Sequence, residues 1–171
     1  RKKVPVSVWA RLIRLCLYVD NAIQPIEGIN NAEDYQQMPR LTFYAQKVYS
    51  INDALYHYNC TNINSYTATY SPKLAEQVML SVNLLESFFQ NKDIEYIDAL
   101  NFSKAEIYVR DMVKCCRFGY KEHYCLAREK IGEMDRKYFV ELPFPFKILL
   151  KLSNYYIAMI YVKLASLFKK R

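Results

Sequence analysis

Apolar residues recur along most of this chain at steps of three and four, the spacing that lines one face of an α-helix. Val8, Leu12, Leu15, Val19 and Ile23 share such a face, and Arg11, Arg14, Tyr18 and Asn21 fall opposite it. The pattern predicts a first helix from Ser7, its N-cap, to Gln24, ended by Pro25. A connection over 25–39 holds a short helical turn near Asn31. Beyond it Leu41, Tyr44, Val48, Ile51, Leu55 and Tyr58 alternate three and four steps, a coiled-coil-like seam that predicts a second helix from Arg40 to Tyr58. Residues Cys60 to Ser71 are rich in Asn, Ser and Thr and read as a loop. Ser71-Pro72 then supplies an N-cap and a first-turn proline for a third helix carrying Leu74, Val78, Val82, Leu85 and Phe89.

Gln90-Asn91-Lys92 reads as a tight turn, and Asp93 as the cap of a fourth helix from Ile94 to Phe118. The capping box Ser103-Lys104-Ala105-Glu106 offers an alternative start, and Gly119 either ends this helix or lies inside a longer one. Tyr120, Tyr124, Ala127, Ile131, Met134 and Tyr138 continue the helical spacing. Leu142-Pro143-Phe144-Pro145 interrupts it, and one long last helix is predicted from Phe146 to Phe168. Few, long helices with short links predict an all-α fold, an up-and-down bundle of five to six helices in a single domain over 1–171; a short stack of helical hairpins is the alternative. Composition agrees: the chain is 52% hydrophobic and 24% charged, and has three glycines in 171 residues, fewer turn residues than sheet-rich domains use.

Charge divides the chain. Residues 1–100 carry 9 Lys/Arg and 10 Asp/Glu, residues 101–171 carry 15 and 7, and no acidic residue follows Glu141. A basic C-terminal portion points to an anionic partner such as nucleic acid, phospholipid or an acidic protein face. The five cysteines (Cys16, Cys60, Cys115, Cys116, Cys125) are odd in number and lack a CxxC spacing, which predicts reduced thiols and an intracellular, cytoplasmic protein. Two N-glycosylation acceptor matches occur, at Asn59 and Asn101, and matches this short arise readily by chance.

Within 104–137, nine basic residues face six acidic ones and alternate with Tyr108, Phe118, Tyr120, Tyr124 and Tyr138. Aromatic rings beside cations are what single-stranded nucleic acid uses, through stacking and phosphate contact. The nucleic-acid candidates are Lys104, Arg110, Lys114, Arg117, Lys121 and Arg128. The last helix is apolar on most sides, interrupted by Lys147, Lys151, Ser153, Asn154 and Lys163. A central helix buried by its neighbours is expected; a membrane-interface helix comes second and a spanning helix third.

One pair suggests catalysis. Arg117 and His123, in Arg117-Phe118-Gly119-Tyr120-Lys121-Glu122-His123, have an Arg-x5-His spacing that resembles the short Arg…His motif of HEPN-type ribonucleases, also small helical bundles. The resemblance covers these two residues and implies that both act on a scissile phosphate, often across a dimer. On a continuous helix six residues turn the chain by about 600°, so a break at Gly119 is needed to bring the side chains together. Asp53 and His57 share a face at i,i+4, but two ligands do not make a metal site. With no glycine-rich phosphate loop and no Glu-x-x-His pair, neither cofactor nor metal is expected.

The sixteen tyrosines suit interfaces, where a buried ring and a bonded hydroxyl coexist. The sequence therefore predicts a non-enzymatic helical interaction module, an oligomer or a subunit of a larger assembly, whose basic C-terminal portion contacts nucleic acid. Its expected partners are a protein or a second copy, then RNA or DNA, and third a membrane surface held through the last helix. A small HEPN-like ribonuclease is the enzymatic alternative.

Overall fold

A computed structural model of the chain describes residues 7–57, 59 and 70–168, with side chains up to Ser166. The fold is all-helical: seven α-helices and one 3-10 turn, with no strand among the described residues. They fall into two compact units, 1–91 and 92–171. The expected loop over 60–69, the seam position Tyr58 and the terminal tract 169–171 lie outside the described residues.

In the first unit, α1 (Leu15–Val19) is far shorter than the predicted Ser7–Gln24 helix. Ala10 and Ala22 have positive φ, 59° and 48°, and an α-helix cannot continue through that left-handed backbone. The predicted apolar face packs into the core only at its two ends, Val8 and Ile23. Leu12, Leu15 and Val19 are exposed, whereas Ile13, Leu17 and Tyr18 pack against a core of Ile23, Met38 and Leu41.

The second helix is displaced too. α2 runs Glu33–Tyr44, straight through Pro39, while 45–57 is not helical. The proline removes one donor from the ladder. Nearby side chains bond to carbonyls of the same helix, Gln37 to Glu33 O at 3.1 Å and Arg40 to Gln36 O at 2.8 Å. Among the described residues the periodic seam beyond Tyr44 is left unburied: Val48, Ile51 and Leu55 are exposed. Ser50, Asn52 and Asp53 in the same stretch bond readily to nearby backbone, which weakens a helix that tertiary packing does not hold. Trp9 stacks on Tyr56 with ring centroids 5.2 Å apart, so this segment lies along the N-terminal one.

α3 (Pro72–Phe89) forms as predicted, with the Ser71 hydroxyl accepting from Leu74 N and Pro72 at the first turn. It buries Val82, Leu85 and Phe89 beside two polar residues, Gln77 and Ser81. These polar groups hold the 28–32 backbone. Gln77 donates to Gly28 O at 2.9 Å, Ser81 to Ala32 O at 3.2 Å, and Asn31 to Leu74 O at 3.1 Å. Farther along, Phe43 meets Phe88 edge-on at 5.5 Å.

In the second unit, α4 (Ile94–Phe118) has its predicted bounds. Gly119 ends it with φ 89°, its N–H bonding to Cys115 O at 2.9 Å. The stretch after Gly119 contains α5 (Lys121–Gly132) and a 3-10 turn (Arg136–Phe139). That turn docks on α4: the Tyr138 hydroxyl donates to Asp98 at 2.7 Å and accepts from Asn101 at 3.3 Å. Asn101, one of the two glycosylation acceptors, is thus half-buried and engaged. The predicted last helix is two helices, α6 (Phe144–Lys151) and α7 (Tyr155–Phe168). α5 and α7 both pack on α4, against its buried face of Ala105, Tyr108, Val109, Met112, Cys115 and Cys116.

Ala32 precedes α2 as its N-cap with φ 71°. Glycine suits both a left-handed backbone and an N-cap better than alanine. Ala32→Gly is expected to stabilise the first unit by about 1 kcal/mol, read as a higher urea midpoint at unchanged slope.

Candidate functional site

The six basic candidates do not form one surface. Arg110, Lys114 and Arg117 lie within an arc of about 60° on α4, pointing away from its buried face. Lys104 is set well off that arc. Arg110 pairs with Glu106 at 2.6 Å, an exposed i,i+4 bridge, and its guanidinium lies 5.7 Å from the Phe146 ring centre. Lys121 belongs to α5 and holds its ammonium 5.1 Å from the centre of the Tyr156 ring. Arg128 donates to Leu152 O at 2.8 Å, a structural contact inside the unit. Arg110, Lys114 and Arg117 are thus the candidates that share one side of α4, with Arg110 already paired to Glu106.

Arg117 and His123 sit on either side of the break that their pairing requires. Arg117 is exposed in the last turn of α4, and His123 is half-buried in the first turn of α5, edge-on to Tyr120 at 6.2 Å. Asp53 and His57 are exposed in a non-helical stretch, so their i,i+4 relation on a helix is not formed. No three His, Cys, Asp or Glu residues gather among the described residues. Cys115 and Cys116 are fully buried, and burial pushes the Cys116 thiol up to about 11. A thiol so held is a packing group and a poor nucleophile.

The geometry with most to offer is at the other end of the unit. After α6, the carbonyl of Leu152 accepts from both Arg128 and the buried Tyr124 hydroxyl, the latter at 3.3 Å. A carbonyl turned to these donors is lost to the helix ladder, and the helix stops there. Two residues on, the Asn154 side chain accepts from Tyr156 N at 2.9 Å and Ile157 N at 3.4 Å, starting α7 as its N-cap. An asparagine ahead of an apolar run is a helix-start signal, and the continuous hydrophobicity of 146–168 hid it.

The break sets how α7 is turned. Tyr155, Ala158 and Val162 are buried, with Tyr155 against Tyr124 at 5.2 Å between ring centres. On the opposite side Tyr156, Ile157, Ile160 and Leu164 are each 52–55% exposed. Those four span an arc of about 100°, one continuous apolar stripe. This corrects the expectation of a central helix buried by its neighbours, with only its lysines reaching water. Lys121 lies over Tyr156 at one edge of the stripe. At the other, Tyr161 donates to Pro145 O at 3.1 Å, tying the start of α6 to the middle of α7.

No helix among the described residues is long and apolar enough to cross a membrane. No protein-family model, curated protein or solved structure matches this chain.

Burial also makes this unit pH-sensitive. A thiol raised by burial favours the folded state only while it stays protonated, so its contribution is whole below about pH 9 and is lost as pH rises toward 11. Burial raises Tyr124 and Tyr155 in the same direction. The urea midpoint is expected to be flat from pH 7 to about 9 and to fall above it, with Cys116→Ala shallower over that fall.

Proposed function

We propose that this chain is a non-enzymatic helical interaction module that works by docking the outward face of α7 on another macromolecular surface. The stripe Tyr156, Ile157, Ile160 and Leu164 carries this reading. Single exposed apolar residues are ordinary on protein surfaces, whereas a contiguous row along one helix face is how grooves and partner surfaces are engaged. The inner face of the same helix is already committed to Tyr124 and α4, so the stripe adds nothing to that core. Substituting exposed side chains typically changes stability by no more than about 0.5 kcal/mol each. Ile157→Ser combined with Ile160→Ser is therefore expected to keep the melting temperature within about 3 °C of the parent, by circular dichroism. A fall of about 10 °C or more would show that the stripe is part of the core and end this reading.

The basic side of α4 favours contact with nucleic acid as a second reading. Arg110, Lys114 and Arg117 are arrayed along one side of a long helix, as phosphate-contacting cations are. Fluorescence anisotropy with RNA and with single- and double-stranded DNA at two salt concentrations tests it. Lys114→Gln with Arg117→Gln is expected to lower the salt slope of binding by about 2, one per lost phosphate contact. Binding without salt dependence would exclude phosphate as the partner. The ribonuclease alternative rests on Arg117 and His123 alone; RNA cleavage that survives His123→Ala would dispose of it.

A further inference from the structure

We infer that the surface on which α7 docks is an anionic lipid bilayer, with the helix lying in the plane of the headgroups. This rests on the docking face proposed above and names its partner. Two observations combine. The stripe is apolar, and Phe144 at the start of α6 is exposed as well. The second is charge. From residue 142 onward the chain carries Lys147, Lys151, Lys163, Lys169, Lys170 and Arg171 and no acidic residue. Lys163 is exposed and projects about 20° beyond Tyr156, just outside the stripe. Lys121 of α5 stands over the same tyrosine. The acidic residues of this unit belong to α4, α5 and the turns before Pro143.

An apolar helix face with lysines along one edge is what an anionic membrane surface selects. The stripe enters the boundary between headgroups and acyl chains, and the ammonium groups remain among the phosphates and carboxylates. Tyrosine suits the level between the two, with its ring inward and its hydroxyl in the wet layer. A second copy of the chain fits the face less well. A two-fold contact sets the same patch against itself, and with the two copies of α7 antiparallel it would bring the Lys163 edge toward its own copy with no acid on α6 or α7 to answer it.

Flotation of the full chain with vesicles tests the inference. Phosphatidylcholine vesicles with and without about 30% phosphatidylserine provide the anionic and neutral surfaces. The chain is expected to float with the anionic vesicles only and to be released as salt is raised to about 0.5 M. Ile157→Ser with Ile160→Ser should reduce the bound fraction by about tenfold or more. Lys121→Gln with Lys163→Gln should do so by several fold, without disturbing the apolar stripe. Failure to float with anionic vesicles, equal flotation with both kinds, or full flotation of the isoleucine variant would each overturn the proposal. The melting curve of that variant separates the two readings. If it keeps its fold and the parent does not float, the docking face stands and the lipid partner falls; if it unfolds, both fall.

Discussion

How closely two helices can approach α4 decides the shape of the second unit. The α4 face that receives them is made of Ala105, Val109, Met112, Cys115 and Cys116, all without solvent access, and the facing positions on α5 and α7 include Ala127 and Ala158. Small side chains at a crossing let backbones come near, so the longer ones interdigitate with little void between them. Tyr124 fills the space beside α7 and spends its hydroxyl on the Leu152 carbonyl. With one face of α7 committed in this way, the 3.6-residue turn of the helix leaves the other to solvent. The outward stripe follows from the inner packing.

The first unit is held differently. Beside its apolar core, the 28–32 connection is docked by polar side chains gripping backbone, with Gln77 and Ser81 of α3 reaching Gly28 and Ala32 from within a buried face. Hydrogen bonds of this kind give modest net stability, but an unmade partner in a buried setting is costly, so they define position more than they add strength. The connection before α2 is therefore fixed against α3. The helix that follows starts where this anchoring leaves it, at Glu33, ahead of a proline that the linear pattern reads as a boundary.

What could be read from the sequence tracks how local the deciding chemistry is. Ser71-Pro72 marks a helix start through its own capping and backbone preferences and appears where the sequence places it, while Gly119 takes the first of its two readings and ends α4. The all-helical class was likewise legible in the spacing of apolar residues and the scarcity of glycine. The seam was misleading at Val48, Ile51 and Leu55 because periodicity shows that a helix could bury one face and does not supply a surface to bury it on. At Ala10 and Ala22 an ordinary helix former takes a left-handed conformation, which no local preference predicts. The site divides in the same way. Arg128 and Lys121 look like free cations in sequence, and only the folded chain brings one to Leu152 and the other to Tyr156. The apolar character of the last segment was plain, but its outward half becomes visible only once Tyr155, Ala158 and Val162 have found their partners.

The corner between α6 and α7 also governs length. An unbroken helix over 144–168 would reach about 37 Å, more than the roughly 30 Å hydrocarbon thickness of a bilayer. Divided at Leu152, Ser153 and Asn154, the same residues make helices of 8 and 14 residues. Those reach only about 12 and 21 Å. A carbonyl diverted to Arg128 and an asparagine bonded to two amides thus turn one potential rod into two short segments, neither able to traverse what the whole could.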